Sequence, residues 1–161
     1  MVDDIRKKFI DALIEAEKLW QGADHIAYIT YPFVKNPKLL IRALEGLHKS
    51  LILTISTILK FEYLHKRIDL SGDTKKNLEV FFKKCAVKYG LNEPDSSLIN
   101  EIMLLGKKHK ESSFEFSKSG KVVILDDEQE VFQLNIEKIK AFLAFTKKLL
   151  ENTNRNFRAG F

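Results

Sequence analysis

The chain has 161 residues and a mass of 18.6 kDa, enough for one domain with a sizeable core. Hydrophobic residues make up 45% and charged residues 30%, which excludes intrinsic disorder, and seven glycines and three prolines are too few for a loop-rich all-β fold. The net charge of +5, with a pI near 9.2, admits a polyanionic partner, while the single cysteine, Cys85, excludes an intrachain disulfide and any all-cysteine metal site and suits a reducing cytoplasm.

Residues 3–33 carry Ile5, Phe9, Ala12, Ala16, Leu19, Ala23, Ile26 and Thr30 at alternating steps of four and three. That spacing predicts one long helix, with a second stripe of Leu13, Trp20, Ala27 and Val34 beside the first. Pro32 ends or kinks it. Asn36-Pro37 then caps a second helix reaching about Lys66, with Leu40, Leu44, Leu47, Leu51, Ile55 and Ile58 on its inner face. The stretch from Leu51 to Leu59 is apolar on nearly every side, so this helix is expected at the centre, with Thr54, Ser56 and Thr57 bonding back to carbonyls one turn earlier.

A third helix over 74–89 turns Leu78, Phe81, Phe82, Cys85 and Tyr89 inward and stops at Gly90. Asn92 to Ser97 read as a capping loop before a fourth helix over 97–110, which buries Leu98, Ile102 and Leu105. The period then breaks. Phe114–Phe116 and Lys121–Leu125, joined through Lys118-Ser-Gly120, predict a β-hairpin over about 113–126, and Val131–Leu134 offers a third extended piece. Asn135 caps a last helix over 136–153, and residues 154–161 read as a polar tail. The expected fold class is mainly α: a single-domain, up-and-down bundle of about five helices with a small β-hairpin inserted before the last helix.

Charge is segregated. Residues 111–137 carry a net −5, between +4 on residues 60–110 and +5 on residues 138–161. Lys107, Lys108 and Lys110 at the end of the fourth helix are therefore candidate polyanion contacts. On the first helix His25, Tyr28 and Tyr31 cluster near Pro32, where they could line a pocket. No segment is apolar enough to span a membrane, and the acidic start Met-Val-Asp-Asp-Ile is not that of a signal peptide.

Two Glu-x-x-His pairs, Glu45/His48 and Glu62/His65, have the spacing used in di-iron bundles. Both lie on one helix, 17 residues and so about 25 Å apart, too far to share a metal. They are read as solvated helix-face pairs, with no metal and no cofactor expected. Cys85 falls in phase with apolar neighbours and reads as a buried small hydrophobe.

Arg42 stands six residues before His48. In this Arg-x5-His spacing and in its helical plan the chain resembles the HEPN superfamily. The resemblance implies an often dimeric helical bundle and a metal-independent ribonuclease or nucleotide-binding site. It would give Arg42 a phosphate-stabilising role and His48 general acid/base work. Six residues turn a helix by about 240°, so the two side chains would meet only across a dimer. The leading functional expectation is a non-enzymatic cytoplasmic interaction module, assembling as a homodimer or binding a protein or polyanion. The homodimer follows from length. Third, fourth and fifth helices of about 14 to 18 residues are too short to sheathe two helices of about 45 Å, which leaves a face near Trp20 for a second copy.

Overall fold

The computed structural model describes residues 2–112 and 114–161. Helix α1 begins as Val2–His25, continues through a π turn, Ile26–Thr30, and ends with one further turn, Tyr31–Val34. Helix α2 is Lys38–Leu64, and α3 is Thr74–Val80 continued by a second π turn, Phe81–Cys85. Helix α4 is Glu93–Glu111, strands β1 to β3 are Phe114–Lys118, Lys121–Leu125 and Val131–Leu134, and α5 is Ile136–Gly160. The chain is thus the expected up-and-down bundle of five helices with a small sheet before the last. The third extended piece is a true strand, giving an antiparallel sheet in the order β1-β2-β3.

Helix α2 is the axis of the fold. It touches α1, α3, α4, α5 and β2, and Leu51, Ile55 and Ile58 are all but inaccessible, as the all-round apolar stretch requires. Small residues let α1 lie close against it: Ala16, Ala23 and Ala43 are buried, and a Cβ on Gly46 would stand 3.3 Å from the Leu19 carbonyl. Ser50 Oγ donates to the Ala16 carbonyl across this seam at 2.8 Å. Thr54 and Thr57 bond back along α2 to Ser50 and Leu53, but Ser56 does not. Replacing Leu51 by Ala should remove about 2–5 kcal/mol from the unfolding free energy measured in urea. A loss under about 0.5 kcal/mol would mean that the core lies elsewhere.

Pro32 does not end α1, which runs on to Val34. It has no N–H to offer the carbonyl one turn back, and the helix absorbs this with a wider turn in which Tyr31 N donates to Ile26 O. The extra residue retards the helical phase. Val34, expected on the inner stripe, is therefore exposed, and Tyr31 is half-buried instead.

Three helix boundaries differ from expectation, the first being α3, which ends at Cys85 rather than at Tyr89. Helix α4 starts at Glu93, with Asn92 and Asp95 bonding each other's backbone N–H in a capping box and Pro94 inside the first turn. Its inner face carries Ile99 as well as Ile102 and Leu105, while Leu98 is half-buried. The largest difference is α5. Residues 154–161 are not a tail: the helix runs to Gly160, and Phe157 is buried on Phe61 with ring centroids 4.1 Å apart. At 25 residues, about 37 Å, α5 is long enough to lie along α1 and α2. The last helix is therefore longer than the one on which the expected homodimer rests. Trp20 is half-buried, and its Nε1 donates to the Leu143 carbonyl of α5 at 2.9 Å.

The hairpin turns through Ser119 and Gly120, both at positive φ, the geometry of a two-residue loop that matches strand twist. Val122 and Ile124 of the central strand β2 anchor the sheet to the core. The β2–β3 turn is built on Asp126, whose Oδ1 accepts from the backbone N of Glu128 and Glu130 at 3.0 and 2.8 Å.

Candidate functional site

Gly106 decides how α4 meets α2. A Cβ there would collide with the imidazole of His48, so glycine alone lets the two helices close over that ring. The result is a cavity of about 130 Å³ lined by Leu44, Glu45, His48 and Lys49 of α2 and by Gly106, His109 and Lys110 of α4. Two residues singled out in the sequence for separate reasons, His48 and Lys110, thus line one cavity from facing helices.

His48 is 7% exposed, and no hydrogen bond reaches its ring among the described residues. Burial, then the charges of Lys110 and His109, lower its pKa, so it is neutral at pH 7. His109 is held the other way. Its Nδ1 lies 2.5 Å from Glu115 of β1 and its Nε2 2.8 Å from Glu45 of α2. Burial alone would lower its pKa, but the two carboxylates outweigh burial and raise it. Both ring nitrogens face carboxylate oxygens, so both donate, and His109 is an imidazolium tying α4 to α2 and to the sheet. Ser112 Oγ donates to the same Glu115 oxygen at 3.2 Å.

No family model, curated protein or solved structure matches this chain. Its chemistry therefore has to be read from its own residues. Among the described residues no group of three or more His, Cys, Asp or Glu side chains could hold a metal ion. Glu45 and Glu115 approach opposite edges of the His109 ring and offer no common point for a cation.

The other predicted residues scatter. Arg42 is exposed on α2 and does not line the cavity. It lies on the same solvent-facing stripe as Lys49, about 10 Å away along the axis, and about 120° round from His48. Within one chain, therefore, Arg42 and His48 do not converge. Lys107 and Lys110 are exposed at the end of α4. Lys108 instead bonds Asp126 Oδ2 at 2.9 Å and sits over the Phe132 ring, which fastens the β2–β3 turn to α4. His25 and Tyr28 are exposed and Tyr31 is half-buried, and none of them lines the α2–α4 cavity. Tyr28 carries Lys140 over its ring at 5.2 Å.

Neither Glu-x-x-His pair is a solvated helix-face pair. In the first, His48 is buried and Glu45 is bonded to His109. In the second, Glu62 is 2% exposed and accepts from Arg67, from Lys88 at 2.7 Å and from Tyr89 OH at 2.8 Å. Burial would raise its pKa, but these three donors lower it below the usual carboxylate range. His65 lies 2.9 Å from the Phe61 carbonyl and 3.2 Å from that of Gly160. Cys85 is fully buried, and burial pushes its thiol up to about 11, which leaves it unreactive.

Helical phase was the signal for the residues that sequence reasoning missed. Glu62 continues the Leu51, Ile55, Ile58 stripe by one step of four, and His109 continues the Ile102, Leu105 stripe in the same way. A charged side chain on a buried stripe requires partners.

Proposed function

We propose that the chain is a non-enzymatic interaction module that binds a phosphate-bearing polyanion across the α2–α4 cavity. The observation that carries this reading is the pair of lysines on its rim, Lys49 and Lys110, beside a His109 that Glu45 and Glu115 hold toward its charged form. Exposed Arg42 and Lys107 extend the cationic rim along α2 and α4. Phosphate contacts of this kind are sequence-independent and sensitive to salt.

Fluorescence polarisation with a labelled single-stranded RNA tests the reading. Reversing Lys49 and Lys110 to Glu together should weaken binding at least tenfold and flatten its salt dependence by about two charges. The same reversal at Lys83 and Lys84, exposed on α3, should change neither. Equal losses from both pairs would mean diffuse attraction and would refute the cavity.

A second reading, the metal-independent ribonuclease suggested by the HEPN resemblance, is favoured by one observation. His48 stands in the cavity wall with its ring unbonded, and burial lowers its pKa, which favours the neutral form a general base needs. Arg42 would join it only from a second copy. RNA cleavage in excess chelator that disappears in His48→Ala would establish this reading over simple binding.

A further inference from the structure

A larger cavity, about 570 Å³, opens on another face of α2. Its wall is almost wholly apolar: Ile52, Ile55 and Leu59 of α2, Leu70 and Leu78 from the segment entering and forming α3, and Met103 of α4. This is the size and lining of a small-molecule site, and the methionine gives it an adaptable side.

The wall is pre-formed. Asn77 holds Ser71 at both backbone groups, accepting from its N–H and donating to its carbonyl, each at 2.9 Å. That clamp fixes the neighbouring Leu70 over the opening. Asp73 is likewise engaged, accepting from the backbone N of Lys75 at 2.9 Å.

Polar groups left over are few, and the charged ones are of one sign. Lys60 and Lys75 stand exposed on the rim, and neither side chain pairs with a carboxylate among the described residues. Ser56 lies in the wall with its hydroxyl unbonded, although Thr54 and Thr57 beside it bond back to the helix. An apolar cavity with two free cations at its mouth is complementary to an apolar chain bearing one negative end. It is not complementary to itself, since a two-fold axis here would set lysines against lysines.

The geometry points to this cavity as a binding site for a free single-chain amphiphile with an anionic head, of the fatty-carboxylate class, its chain between Ile52, Leu59 and Leu78 and its head at Lys60 and Lys75. The site is independent of the cationic cavity at His48.

Titration calorimetry with linear carboxylates of 6 to 14 carbons, each below its micelle concentration, tests it. Affinity should rise about fourfold per added methylene until the cavity is full, then level off, with one chain bound per protein. Ser56→Phe, which puts a ring into the wall and takes up part of the cavity, should weaken binding at least tenfold and shorten the chain length at which affinity levels off. Lys60→Glu with Lys75→Glu, both at the surface and harmless to folding, should weaken carboxylates at least tenfold and leave the alcohol of equal length unchanged. Vesicles of anionic phospholipid should not sediment the protein. Absence of chain-length dependence, indifference to the charge reversal, or sedimentation with vesicles would each overturn the proposal. So would a dimer by light scattering that the Ser56→Phe substitution dissociates, since a second copy would then fill the cavity.

Discussion

Phe157→Ala should lose about 3–5 kcal/mol of unfolding free energy in urea, as much as a change at the centre of α2. Its ring is 4% exposed, stacks on Phe61 at 4.1 Å and meets Phe9 edge-on at 5.7 Å. Phe9 and Phe61 also pack directly, at 5.7 Å, so one cluster joins α1, α2 and α5. Deleting residues 154–161 should cost at least as much, because it also removes Phe161, 5.3 Å from Phe61, and the Gly160 carbonyl that faces His65. Phe161→Ala alone should cost less, since that ring is 38% exposed. A deletion that left the urea midpoint unmoved would show that these residues are the tail their polarity suggests.

Glu62→Ala should destabilise the protein by about 3 kcal/mol at pH 7, at the lower end for a broken buried ion pair. Arg67 and Lys88 are about 40% exposed and can turn back to water, but the Tyr89 hydroxyl is fully buried and would lose its acceptor. The sign of the pH dependence follows from the lowered pKa. An acid whose folded pKa lies below its ordinary value of 4.5 contributes its full stability above that value. The contribution fades as pH falls through the folded pKa. The gap in unfolding free energy between the parent and Glu62→Gln should therefore be constant from pH 5 to 7 and shrink below pH 4.5. A gap that widened on acidification would contradict the three-donor arrangement.

The elements were legible because each carries its own period. The six-residue inner face of α2 and the alternation around Ser119-Gly120 leave little choice of structure. What failed was the reading of polar residues near helix ends. Asn152, Asn154 and Asn156 resemble caps and turns, yet Asn154 and Asn156 donate to carbonyls one turn back and Asn152 donates to the Tyr89 carbonyl. Docking of Phe157 overrides their weak helix propensity. Phe157 stands seven residues after Leu150, so the apolar period did extend through the supposed tail.

The α2–α4 site was half legible. His48 could be named from its spacing to Arg42, but the residue that lines the cavity with it is His109, 61 residues later, which no local spacing links to it. The two Glu-x-x-His pairs were misjudged for a related reason. Burial of His48 depends on the missing side chain at Gly106, and burial of Glu62 on Tyr89 and Lys88 from another segment.

The hairpin tip has a practical consequence. Nothing approaches within 4 Å of where a Cβ on Gly120 would stand, and all of β1 is solvent-facing, while β2 carries the strand contacts to α2 and α4. The loop between Ser119 and Gly120 is therefore the place where an inserted peptide tag should disturb the bundle least, which an unchanged urea midpoint would check. A tag placed there rides on the strand pair that Glu115 ties to His109.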